Sequence, residues 1–133
     1  MKIIVASHGK FAEGIKNTVE MIGGNNPNII AYCAYDDNGS NLDSLKDIIE
    51  NNASEELIVC TDLYGGSVNN FLMPYAISNQ ITLIAGVNVA LLLSLSLATD
   101  LSKDIIKNLI EESKTYTVFC NDNFEESEEE EEF

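Results

Sequence analysis

The stretch MKIIVASHGKFAEGIKNTVEMIGG, residues 1–24, decides the fold. Residues 2–6 (KIIVA) are a β-rich apolar run, and Ser7-His8-Gly9 breaks it. Phe11, Ile15, Val19 and Ile22 then recur every three or four residues, the spacing of an amphipathic helix, until Gly23-Gly24 ends the pattern. A strand, a tight turn and a helix in 24 residues form one βα unit.

The same alternation continues along the chain. Residues 28–35 (NIIAYCAY), 57–61 (LIVCT), 81–85 (ITLIA) and 116–120 (YTVFC) read as further strands. A second helix is marked by Leu42, Leu45, Ile48 and Ile49 after the turn residues Asp37-Asn38-Gly39-Ser40. A third starts near Ser67 and runs through Phe71, Leu72, Tyr75 and Ala76, with Pro74 expected to kink or shorten it. A fourth spans 89–99 and a fifth runs from Ser102 to about Ser113, with Ile105, Ile106, Leu109 and Ile110 as its apolar face. Most of the strands are continuously apolar, the pattern of a sheet covered on both faces, so the expected fold is α/β with a doubly wound, mainly parallel sheet.

The chain has 133 residues and is 45% hydrophobic, enough for one core. The expected organisation is one domain over 1–121 and an acidic, disordered tail over 122–133. Seven lysines, no arginine and 22 acidic residues give a net charge of -15. Eight of those acids lie in the last twelve residues, which leaves fourteen against the seven lysines in the body. Phosphate backbones and anionic membranes call for clustered cations, so nucleic acid and membrane surfaces are excluded as expected partners.

Cys33, Cys60 and Cys120 lie far apart within apolar runs and are expected to act as small buried hydrophobes. Residues 81–98 are apolar enough to suggest a membrane span, but Gly86, Asn88 and three hydroxyl residues favour a strand followed by a helix. The opening MKIIVAS runs into a strand with no long apolar region or cleavage signal. With the odd cysteine count, this predicts a cytoplasmic protein.

In open α/β sheets, ligands bind beyond the carboxyl ends of the strands. His8, the one histidine of the chain, stands there after the first strand. After the third come Asp62-Leu63-Tyr64-Gly65-Gly66-Ser67, a carboxylate followed by a turn that permits close backbone approach and a serine suited to cap a helix. If the first and third strands are neighbours, Asp62 reaches one nitrogen of His8, fixes its tautomer and leaves the other nitrogen as a nucleophile. Asp62 read alone is equally a turn or capping aspartate. Gly65, Gly66 and Ser67 are the candidate phosphate cradle. Ser7, Gly9 and Asn88, the last in Gly86-Val87-Asn88 after the fourth strand, are candidates for the rim, although Asn88 also reads as a helix cap. No metal or cofactor is expected: His8 has no second histidine beside it, and the cysteines fall in strands.

The segments ASHGKFAEGI, CTDLYGGSVNNF and LIAGVNVALLL, in that order and spacing, resemble the mannose-family enzyme IIA of the bacterial sugar phosphotransferase system over residues 1–120. The resemblance implies that His8 is the phosphorylated histidine and Asp62 its paired carboxylate. It implies a histidine-containing phosphocarrier protein as donor and a IIB component as acceptor. It also implies a homodimer exchanging an antiparallel edge strand, here 116–120. Val68 and Ala90 stand where the family commonly has proline, a residue pre-organised for the start of a helix. The alternatives are the dihydroxyacetone kinase phosphotransfer subunit, a regulatory module that senses phosphorylation, and a silent interaction domain.

Overall fold

The computed structural model describes residues 1–37 and 41–123. The turn expected at Asn38-Gly39-Ser40 and the acidic tail from Phe124 onward lie outside the described residues. The elements alternate as β1 (Lys2–His8), α1 (Phe11–Gly23), β2 (Ile29–Ala34), α2 (Leu42–Asn51), β3 (Leu57–Thr61), α3 (Ser67–Ile77), β4 (Thr82–Ala85), α4 (Val89–Leu97) and α5 (Lys103–Ser113). The four strands form one all-parallel sheet in the order β2-β1-β3-β4.

Residue parity along the strands explains the continuous apolar runs. On β1, Ile3 and Val5 join Ile58 and Cys60 of β3 in a core closed by Ile15 and Val19 of α1, Leu92 and Leu95 of α4, and Ile106 of α5. Ile4 and Ala6 point the other way, with Val59, into a second core closed by Leu45 and Ile49 of α2 and Leu72 of α3. Every residue of β3 is buried, as a central strand between two helical layers must be.

The caps set where the helices begin and end. Gly24 has φ +88° directly after α1, a conformation open to glycine. Asn41 accepts from the Asp43 N–H at the start of α2, and Asn88 accepts from the Leu91 N–H at the start of α4. α3 runs three residues past Pro74, so the proline does not cut the helix there.

One expected strand is absent. Residues 116–120 carry β-rich side chains, yet Lys114–Tyr116 and Cys120–Asn123 are short 3-10 turns, and no described strand pairs with the segment between them. A strand needs a neighbour for its ladder hydrogen bonds, and among the described residues this segment is paired with none. Tyr116, Val118 and Phe119 are consequently exposed, as is Cys120, which corrects its expected burial. Cys60 fits the expectation: burial pushes its thiol up to about 12, so it stays protonated and inert.

Candidate functional site

Strand order creates the site. β1 lies between β2 and β3; the chain leaves β1 into α1 on one face and leaves β3 into α3 on the other. The two turns part and leave a crevice at the carboxyl ends of β1 and β3. The register pairs Ala6 with Thr61, so His8 and Asp62, just beyond that pair, end side by side.

Asp62 Oδ2 accepts two hydrogen bonds from one residue: the His8 backbone N–H at 2.9 Å and His8 Nδ1 at 2.9 Å. With the proton on Nδ1 donated to the carboxylate, Nε2 carries the lone pair. It lies 3.1 Å from Ser67 Oγ, whose hydroxyl donates to it in that tautomer. In the resting site the second nitrogen is thus met by Ser67. The imidazole is still 42% exposed, so it sits on an open surface.

Two opposing effects set the acidity of Asp62. Burial raises it, leaving Oδ1 with no partner among the described residues; the backbone and ring hydrogen bonds and the charge of His8 lower it. The second group prevails, and the carboxyl is held below its ordinary value of 3.8. Asp62 is therefore ionised throughout the neutral range.

The turn after Asp62 brings backbone against the ring. Gly65 has φ +80°, and a Cβ placed on Gly66 would stand 3.2 Å from His8 Cε1, so a side chain there would press on the imidazole. Gly66, and not Ser67, occupies the N-cap of α3. That frees the Ser67 side chain, on the first helical residue, to reach His8. The Gly66 N–H is donated to the Leu63 carbonyl at 3.2 Å, which removes it from the expected phosphate cradle. The N–H groups of the first turn of α3, which have no acceptors inside the helix, are the remaining candidate donors to an anion. Buried Thr61 Oγ1 donates to buried Asn69 Oδ1 at 2.8 Å and fixes this helix start to the end of β3.

The expected rim divides. Gly9 takes φ +56° and donates its N–H to the Ala34 carbonyl at 2.8 Å, shaping the turn below His8. Ser7 is fully buried; its Oγ accepts from the Ala12 N–H at 2.7 Å and so satisfies a donor in the first turn of α1, since parity on β1 turns it away from His8. Asn88 uses its amide to cap α4 and to donate to the Ser113 carbonyl at 3.0 Å, so its capping role is the one the structure supports. Tyr35, not anticipated, lies against the imidazole with ring centroids 5.9 Å apart. Its place after the strand next to β1 was the available signal.

Comparisons with known proteins identify relatives of this chain. Residues 2–114 match the family described as PTS system fructose IIA component. The PTS system fructose-specific EIIA component of Bacillus subtilis (strain 168) is 30% identical over 134 residues, covering 94% of this chain and 90% of that one. A Klebsiella pneumoniae structure, provisionally described as a phosphoenolpyruvate-dependent sugar phosphotransferase system permease, is similar with TM-score 0.81 and 33% identity, over 92% of this chain and 93% of that one. The mannose/sorbose-specific IIA subunit from Enterococcus faecalis shares the fold, with TM-score 0.73 and 24% identity, over 88% and 92% of the two chains. With its parallel four-stranded sheet and these matches, the chain belongs to the mannose-type, fructose IIA component family and is a phosphocarrier of a sugar phosphotransferase system.

Proposed function

We propose that the phosphoryl group is carried on His8 Nε2. The observation behind this reading is the chain Asp62–His8–Ser67, linked at 2.9 and 3.1 Å where β1, β3 and the N-terminus of α3 meet. In the neutral ring that attacks, Asp62 holds the proton on Nδ1, which leaves the lone pair on Nε2. That lone pair attacks the phosphorus of a phosphohistidine on the donor. The Nε2–P bond forms as the donor's N–P bond breaks, and the donor nitrogen keeps the electron pair. Positive charge grows on the His8 ring and is offset by ionised Asp62, while Ser67 Oγ and the first N–H groups of α3 receive the phosphoryl oxygens. No metal or organic cofactor takes part in this sequence.

The donor we assign is the histidine-containing phosphocarrier protein and the acceptor a IIB component. An open site favours protein partners, and the exposed apolar side chains of Leu63 and Tyr64 stand in the Asp62–Ser67 turn, ready for contact. We assign the protein to the cytoplasm, where such carriers meet phosphoenolpyruvate-derived phosphate; among the described residues no helix is long and apolar enough to cross a membrane. The test is incubation of the full chain with phosphoenolpyruvate, enzyme I and the histidine-containing phosphocarrier protein. The expected product carries one acid-labile, alkali-stable phosphoryl group on the peptide containing His8. A folded protein that takes no phosphate from cognate donors would sink the reading.

We also assign a homodimer in which the segment from Tyr116 to Cys120 pairs antiparallel with the partner's sheet. The reading is supported by the exposure of Tyr116, Val118 and Phe119 and by the edge position of β4, whose outer side has no described neighbour. Sedimentation velocity is expected to give a dimer that Phe119→Asp dissociates. A monomer at every concentration removes this assignment.

A further inference from the structure

Tyr35 follows the last residue of β2, and the register sets Ala34 opposite His8. Asp62, Gly66 and Ser67 approach the imidazole from the β3 side, whereas Tyr35 approaches from the β2 side. Its ring centroid lies 5.9 Å from that of His8, with the planes inclined by 35°, within the range of favourable aromatic pairs. To stand there Tyr35 adopts φ +58°, the left-handed region that bulky residues avoid. The residue stays 52% exposed, so insertion into the core does not account for that conformation. The Gly9 N–H on the Ala34 carbonyl at 2.8 Å ties this strand end to the turn that carries His8, and Lys10 and Asp37 form an exposed ion pair at 3.7 Å beside it.

We infer that Tyr35 is a positioning residue for phosphoryl transfer, keeping the His8 ring in its attacking orientation through ring contact. The inference rests on the phosphocarrier reading of His8. In the resting site the imidazole has two polar tethers, Asp62 on Nδ1 and Ser67 on Nε2. Ser67 must release Nε2 when the lone pair attacks, which leaves the hydrogen bond from Nδ1 to Asp62 as the polar tether of the ring. The Tyr35 ring constrains the imidazole during the step from the β2 side, opposite Gly66. Its hydroxyl has no part in this, so phenylalanine serves equally.

The experiment compares Tyr35→Gly and Tyr35→Phe with wild type in the full chain. Glycine removes the ring and accepts the left-handed backbone without strain, and circular dichroism confirms that the variant is folded. Tyr35→Gly is expected to lower kcat for phosphoryl uptake about fivefold, with KM for the donor protein unchanged, and Tyr35→Phe to stay within about twofold of wild type. In proton NMR of the resting protein, the His8 Hε1 and Hδ2 resonances should lose their ring-current displacement in Tyr35→Gly and keep it in Tyr35→Phe. An unchanged kcat in Tyr35→Gly overturns the assignment, and so does a rise in KM alone, which would make Tyr35 a docking contact. If wild type itself takes no phosphate, the phosphocarrier reading has failed; unchanged His8 resonances in Tyr35→Gly show separately that the ring contact is absent.

Discussion

Replacing His8 by alanine is expected to abolish acid-labile phosphate on the protein while leaving it folded. The chain has one histidine, so no second imidazole can take over. The side chain is 42% exposed, and truncating it opens no cavity in either core. Asp62 loses its ring partner but keeps the backbone N–H of residue 8, so the turn retains an anchor. Intact mass after incubation with phosphoenolpyruvate, enzyme I and the phosphocarrier protein reads the effect, and circular dichroism reports the fold. Acid-stable phosphate appearing on the variant would point to Ser67, whose hydroxyl stands 3.1 Å from Nε2, and would move the carrier role from His8. Such a result is not expected. A serine hydroxyl needs a base to become a nucleophile, and truncation at position 8 removes the base it has.

The fold was readable because the central strands β1 and β3 are buried on both faces and α1, α2 and α5 each carry one apolar stripe, so in those elements the two periodicities separate cleanly. β3 begins and ends at Leu57 and Thr61 as the apolar run predicts, and Gly23-Gly24 ends α1. The pairing of His8 with Asp62 was readable conditionally: it required β1 and β3 to be neighbours, which local pattern alone does not fix and the strand order supplies. Ser7 was misplaced because loop position was weighed above parity; as the residue before His8 on the same strand, it points to the opposite face. Ser67 was expected as a cap because serine favours that position, but Gly66 takes it and the hydroxyl turns to the ring. Residues 116–120 misled for a different reason. Their composition records a preference for pairing, and whether a partner strand is available is a property of the assembly.

Asp62→Asn is expected to slow phosphoryl uptake about a thousandfold, with the donor's KM little changed. The amide is isosteric, and its oxygen can still accept the two N–H groups that Oδ2 now accepts at 2.9 Å each. What it cannot supply is the negative charge that offsets the growing charge of the imidazole as Nε2 bonds to phosphorus. An amide presenting its NH2 to the ring also favours the tautomer with the proton on Nε2, which has no lone pair there for attack. The thermodynamic counterpart has a definite sign. Burial opposes the charge of Asp62, but the His8 contacts outweigh it and hold the carboxyl below 3.8 in the folded protein, so ionised Asp62 stabilises the fold above that ordinary value. The contribution disappears as pH falls through the lower, folded value, where native and unfolded chains both become protonated. Asp62→Asn removes this titration, and its stability curve should therefore be flatter on the acid side than that of wild type. Urea midpoints measured from about pH 6 down to about pH 2 detect the difference. Parallel curves for the two proteins would mean that Asp62 is not held by His8 in solution. A rate within about tenfold of wild type would mean that hydrogen-bond geometry, which the amide preserves, and not the charge of Asp62, governs transfer.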